Sequence, residues 1–287
     1  MVHEEKEKDP NFDVSGVLAK LQVSRSGYYA WLHRIKSRQQ IRKEEVQQRI
    51  VEIYNENHKI YGAPKITVLL NREGCQISQR TVSVYMKEIG IKAIWIKPWT
   101  RTTLNSDFST KLENILKREF NPTEPNAVWC TDISYIWTLS DGFVYLTSVM
   151  DLYSRKIIAW VLTKTMEAEE VLRCIRIAIQ RRKTDKPVVV HSDRGSQYVS
   201  RLYRILMKNM RCSYSAKGTP WDNACIESFH SIIKREWLDR KVIFDYDHAY
   251  ELCFEYIETF YNTVRIHSHC GYESPNEYEK NWESDKY

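Results

Sequence analysis

Val188-Val189-Val190-His191-Ser192-Asp193-Arg194-Gly195-Ser196-Gln197 is the stretch on which the reading of this chain turns. Three β-branched residues in a row, introduced by Pro187, predict a central strand buried on both faces. The run then becomes polar, and Gly195 offers a turn. In open α/β sheets ligands bind where strands end in loops, so Asp193 stands where a carboxylate is held on a rigid support and still reaches solvent. Capping of the next helix is the competing use of an aspartate there. Other acids converging on the same end of the sheet would decide between the two.

The chain has 287 residues, enough for two domains and at least one sizeable core. Hydrophobic residues make up 43% and charged ones 28%, the balance of a soluble globular protein. A net charge of +6 permits a nucleic-acid partner without requiring one. The 7 cysteines are scattered and form no C-x-x-C pair, which points to a reducing compartment and away from a zinc module. His267-Ser268-His269-Cys270 lacks the second ligand pair that a zinc site needs. No apolar run reaches the roughly 18 residues of a membrane span. The start, Met1-Val2-His3-Glu4-Glu5-Lys6, is too charged for a signal peptide. A cytoplasmic protein is expected.

Residues 1–10 read as a solvated tail. Val14, Val17, Leu18 and Leu21 share one helical face, and Ser24 can cap a second helix carrying Tyr28, Tyr29, Trp31 and Leu32. This pair fits a helix-turn-helix or any small helical hairpin. A clearer pair follows. Residues 44–57 read as a helix, Tyr61-Gly62 breaks it, and Pro64 opens another through Leu70. Gly74 stops that one, Ser78 caps a third over 81–89, and Gly90 closes it. Gln79, Arg80, Ser83 and Lys87 face outward from the last, with chemistry able to meet phosphates and base edges, although a solvated face carries such residues too. Residues 98–125, with Arg101 and Lys111, read as a basic linker able to lie along nucleic acid.

From Ala127 the periodicity changes. Residues 127–137, 143–152 and 156–162 read as three strands joined by short turns, the first turn signalled by Asp141-Gly142. A helix over 167–182, the Val188 strand, a helix over 200–210, a short strand near 212–215 and a helix over 222–237 follow. That order predicts an α/β fold with a mixed central sheet, of the ribonuclease-H-like kind, preceded by an all-α region. Residues 246–261 form a further amphipathic helix. Asp132 lies inside the first strand, where a carboxylate is costly unless paired or metal-bound. Asp193 ends the fourth strand, and Glu227 lies one turn into the last helix of the block. Carboxylates drawn from several elements suit Mg2+ or Mn2+. Two such ions can hold both the attacking and the leaving oxygen of a phosphoryl transfer. Lys234, seven positions after Glu227 on the same helical face, can meet the DNA backbone or simply be a surface lysine.

Three segments now carry a resemblance: Asn126-Ala127-Val128-Trp129-Cys130-Thr131-Asp132-Ile133-Ser134-Tyr135, His191 to Tyr198, and Asp222-Asn223-Ala224-Cys225-Ile226-Glu227-Ser228-Phe229. They resemble the three acidic motifs of bacterial insertion-sequence transposases, most closely the second-frame (OrfB) product of the insertion-sequence-3 family, relatives of retroviral integrases. Tyr261-Asn262, Arg265, His267 and Ser274-Pro275 resemble the C-terminal signature of that family. The resemblance implies Asp132, Asp193 and Glu227 as metal-binding catalytic acids and Lys234 as the basic residue that follows them. It also implies cleavage of element ends and joining of the freed 3′ hydroxyl to DNA. His191 and Arg194 are expected to support or contact that DNA. Implied partners are double-stranded DNA, further copies of the chain, and an upstream-frame (OrfA) product, in the bacterial nucleoid. Asp193 and Glu227 enclose 33 residues, slightly fewer than the family pattern, with the shortening placed at 209–213. The rival readings are a nuclease that cuts without joining and a DNA-binding protein without catalysis.

Overall fold

The computed structural model describes residues 2–9, 12–94, 112–184, 188–216 and 219–284. The chain divides into two compact units, Met1–Glu52 and Ile53–Tyr287. In the first, helices α1 (Val2–Lys8), α2 (Val14–Lys20) and α3 (Arg25–Leu32) surround a small core of Val14, Leu18 and Tyr28. The expected cap is present: Ser24 Oγ accepts from the Gly27 N–H at 3.1 Å. Helix α4 (Arg38–Glu56) begins well before the predicted 44. Its first turn is capped by Ser37, whose Oγ accepts from Gln40 N, and it is built from polar helix formers. The apolar periodicity that reveals a helix in sequence starts only at Val46.

In the second unit, α5 (Ala63–Arg72) and α6 (Gln79–Glu88) pack through Ile66, Leu70, Val82 and Met86. Gly74, at φ +86°, provides the left-handed residue that ends α5. Ser78 caps α6 by accepting from Thr81 N at 3.1 Å. Gln79, Arg80, Ser83 and Lys87 are all exposed, so the outward face of this helix is where the sequence placed it.

The central sheet has five strands in the order β3-β2-β1-β4-β5. Strands β1 (Val128–Thr138), β2 (Gly142–Asp151) and β3 (Ile157–Thr163) form an antiparallel meander. β4 (Val189–Ser192) lies parallel to β1, and β5 (Arg211–Tyr214) lies parallel to β4. Helices α7 (Ala168–Arg182) and α8 (Arg201–Leu206) cover one face, around Trp129, Val149, Ile175, Val190 and Tyr203. Helix α9 (Ala224–Glu236) packs on β1 and β2 across the other. A single 3-10 turn, Met207–Asn209, leads almost directly from α8 into β5.

Two expectations need correction. Part of the supposed linker is packed against the core. Leu116 is buried, its N–H donates to Ser213 Oγ at 3.0 Å, and Tyr214 N donates to Glu113 O at 2.9 Å along the edge of β5. Arg101 and Lys111 lie outside the described residues. The helix foreseen over 246–261 is α10 (Tyr246–Phe254) continued by wider π turns, Glu255–Tyr261, which turn Tyr256, Ile257, Phe260 and Tyr261 inward. The C-terminal signature residues are braces. Asn262 exchanges two hydrogen bonds with the backbone of Ile157, each 3.0 Å, so it completes the edge strand of the sheet. Tyr261 donates to Arg155 O, and Arg265 forms a two-pronged ion pair with Glu236 at the end of α9, at 2.8 and 2.6 Å. Helix α11 (Pro275–Ser284) closes the chain, and its Glu279 is held by Arg182, Lys156 and Ser154.

Candidate active site

Strands β1 and β4 are paired as far as Cys130 and His191, and beyond that point they part. Asp132 follows on β1 and Asp193 follows β4. Both carboxylates are partly buried, and the charge of Asp132 reaches Asp193. Burial, and then the charge of Asp132, pushes the Asp193 carboxyl up to about 6, while the Gly195 N–H pulls it back. That N–H donates to Asp193 Oδ1 at 2.9 Å. A Cβ on Gly195 would come within 3.0 Å of this oxygen, so the turn favours glycine. The competing role is excluded: Asp193 caps no helix, because Ser200 Oγ caps α8 by accepting from Tyr203 N.

Glu227 lies one turn into α9, on the β1 side of the sheet, and is exposed. Asp132 and Asp193 stand at the fork between β1 and β4, and Glu227 stands on the helix that packs over β1. Among the described residues no three His, Cys, Asp or Glu side chains are gathered as a metal cage, either here or at His267 and His269. Lys234 is half-buried on α9. Burial lowers its ammonium pKa against the pull of Asp239 and then Asp132, which places it within electrostatic range of Asp132.

His191 and Arg194 differ from expectation. His191 is fully buried, with Nδ1 2.8 Å from Ser213 Oγ and Nε2 3.2 Å from Ser215 Oγ. It joins β4 to β5 and its side chain is out of reach of a DNA strand. Arg194 donates to Ser215 O at 2.8 Å and Leu112 O at 3.1 Å, so its guanidinium fastens the loop after β4 to two other segments. Both look exposed in sequence because the run turns polar after Val190, yet their partners lie 20 or more positions away.

Burial lowers the His191 pKa from 6.5 to about 4, so the fold holds it neutral. Between those values the unfolded chain binds the extra proton, and stability is lost as pH falls through that window. His191→Gln is therefore expected to flatten the decline of melting temperature with acidification across that range. An unchanged slope would show that the imidazole is not held neutral.

Several residues around the acids were not foreseen. His230 is buried, with Nδ1 3.3 Å from Asp132 Oδ2 and Nε2 3.3 Å from Ser148 Oγ. It lies three positions after Glu227, so helical spacing alone puts it on the same face. Asp222 accepts from Asn114, Arg118, Ala216 and Thr219, at 2.6–2.9 Å, and anchors the turn before α9. Asn223 Nδ2 donates to Thr131 O at 3.3 Å, tying the start of α9 to β1 one residue before Asp132.

This arrangement, two strand-borne aspartates at the fork of a mixed sheet with a glutamate on a helix across it, coincides with matches to known families. An integrase core domain matches residues 122–220, a second integrase core model matches 208–275, and an HTH-like domain matches 41–99. The transposase InsF of insertion sequence IS3A from Escherichia coli is 34% identical over 273 residues, covering 93% of this chain and 94% of that protein. The chain belongs to the IS3 family of transposases. The transposase of element IS904 from Lactococcus lactis is likewise 34% identical, over 251 residues, 87% of this chain and 99% of the relative. Solved structures similar to this transposase include the catalytic core domain of HTLV-2 integrase in complex with magnesium, at 15% identity and TM-score 0.40 over 55% of this chain and 98% of that one. Another is the Mos1 mariner transposase catalytic domain, at 16% identity and TM-score 0.40, covering 54% of this chain and 74% of that one. The transposase therefore joins an HTH-like DNA-binding region to an integrase core, and is a polynucleotidyl transferase by family. No helix among its described residues is long and apolar enough to cross a membrane.

Proposed function

We propose that Asp132, Asp193 and Glu227 are the catalytic acids of this transposase and hold two Mg2+ or Mn2+ ions. The observation that carries the proposal is the confrontation of Asp132 and Asp193, two carboxylates whose mutual repulsion a divalent cation would relieve. The donor chemistry fits hard cations, since every proposed ligand is an oxygen. A buried amide oxygen beside them, Asn223 Oδ1, also accepts no hydrogen bond among the described residues. Such ions, when bound, stabilise charge on the attacking and departing oxygens of an in-line displacement at phosphorus. The protein supplies the fixed strands that aim Asp132 and Asp193, and a helix that carries Glu227 and Lys234 along the strand being cut. Water attacks the phosphodiester at the element end and releases a 3′ hydroxyl. That hydroxyl then attacks another phosphodiester and displaces its 3′ oxygen, with no covalent protein intermediate.

Further elements of the proposal are a helical segment over 1–40, a helix-turn-helix over 41–97, a connector over 98–125, a catalytic core over 126–240 and a C-terminal extension over 241–287. On DNA the chain is proposed to act as a homo-oligomer, alone or with an upstream-frame product, within the bacterial nucleoid. The deciding experiment incubates the full chain and Mg2+ with a duplex bearing the inverted repeats that flank its own gene. Strand cutting followed by joining supports the proposal. Cutting without joining would leave a nuclease, and binding alone would leave a regulator.

Gln79, Arg80, Ser83 and Lys87 are proposed to meet that duplex from the exposed face of α6. Each lysine or arginine placed on a phosphate releases counterions. Arg80→Ala with Lys87→Ala is expected to lower the slope of log affinity against log salt by about 2. An unchanged slope would move DNA recognition off this helix.

A further inference from the structure

Asn223 occupies the cap position of α9, where asparagine normally accepts from the first turn of the helix. Here it makes no capping bond. Its side chain reaches across to β1, and Nδ2 donates to Thr131 O at 3.3 Å. That carbonyl lies just past the last β1–β4 pair, Cys130 with His191, so the amide sits at the fork between the strands that carry Asp132 and Asp193. The residue is 2% exposed, and its Oδ1 has no hydrogen-bond partner among the described residues. An unsatisfied buried acceptor is costly, and in a native fold it calls for an explanation in function or a bound group.

Glu227, one of the proposed acids, stands on the same helix. Positions 223 and 227 lie one turn apart on one face of α9. Mg2+ keeps several of its waters when bound by carboxylates, and those waters are strong donors. We infer that Asn223 is an outer-sphere positioning residue for the cation: its Nδ2 fixes the amide against Thr131, and its Oδ1 accepts a hydrogen bond from a cation-bound water. This inference rests on the proposed three-carboxylate site. The other neighbouring polar groups offer no equivalent. Asp222 Oδ1 and Oδ2 are already engaged with four donors, and Ser192 Oγ donates to Asp193 O. His230 is spent on Asp132 and Ser148.

The test is Mn2+ binding to the full chain, read by the electron-paramagnetic-resonance signal of free Mn2+, for the unaltered protein and three variants. Asn223→Ala loses both donor and acceptor and is expected to bind Mn2+ about 10–100-fold more weakly. Asn223→Asp keeps an acceptor oxygen in place while losing the donor to Thr131, and is expected to stay within about threefold of the unaltered protein. A residue that only latched α9 to β1 would show the opposite order, because a carboxylate facing the Thr131 carbonyl is worse than a methyl. Equal losses in the two variants, or none in Asn223→Ala, would overturn the inference. Should Asn223→Ala fail to fold, Asn223→Asp decides alone, with a loss of more than about tenfold counting against it. Asp132→Asn is the control. If it binds Mn2+ normally, the three-carboxylate site itself is wrong, an outcome separate from failure at Asn223.

Discussion

Asp193→Asn is expected to abolish metal-dependent cutting and joining while leaving duplex binding within a few fold of the unaltered chain. The amide keeps the shape of the side chain, and its oxygen still accepts from Gly195 N, so the turn after β4 survives. What disappears is a charge that faces Asp132. Charge stabilisation by a bound metal is worth several kcal/mol in the transition state, so the rate should fall by about 10³-fold or more. Stability should move the other way. Without metal, the unaltered fold holds two carboxylates against each other, and neutralising one relieves the repulsion. Its melting temperature in chelator near neutral pH should therefore rise. Added Mg2+ should stabilise the unaltered chain by mass action and leave the variant unmoved. Undiminished cutting by the variant, or a Mg2+-dependent gain in its melting temperature, would remove Asp193 from the site.

The second large effect belongs to the ion pair at the far end of α9. Arg265 and Glu236 are 8% and 13% exposed at their side chains, and two nitrogens of the guanidinium reach the carboxylate at 2.8 and 2.6 Å. Tyr256 donates to the same carboxylate at 2.6 Å, and Arg265 also lies against the Tyr261 ring. Removing one partner of such a pair strands a buried charge, at a cost of about 3–5 kcal/mol. Arg265→Ala should lose roughly that much in a denaturant titration, and Arg265→Ala with Glu236→Gln should recover part of it. A loss below about 1 kcal/mol would mean that water already screens the pair. The consequence for catalysis follows from connectivity, since Glu236 and Glu227 lie on one helix and slackening its end loosens the other.

Much of the fold could be read in advance, because it depends on local chemistry. Alternating apolar residues fixed the meander from Val128 to Thr163, Asp141-Gly142 fixed its first hairpin, and Ser24 and Ser78 announced two helix starts. The early start of α4 escaped notice because its first turns are solvated and carry no periodic signal. Asp132 stood out for a different reason, since a charge inside a strand is hard to justify by structure alone, and Glu227 through its motif, which follows in the family order.

The roles around those acids were decided only by distant partners. His191 is a bridge because Ser213 and Ser215 arrive beside it from β5. Arg194 is a fastener because Ser215 and Leu112 present carbonyls to it. Asn223 would be taken from sequence for an ordinary helix cap, yet the parting of β1 from β4 gives it the Thr131 carbonyl instead. The sequence by itself determined the order of elements and the outward face of α6, and it nominated the three acids proposed for the site. The tertiary structure decided which side chains are buried, which acids face each other and where Val188-Val189-Val190 delivers Asp193. Periodicity is encoded within a few residues, whereas desolvation and hydrogen-bond satisfaction depend on atoms that only folding brings together.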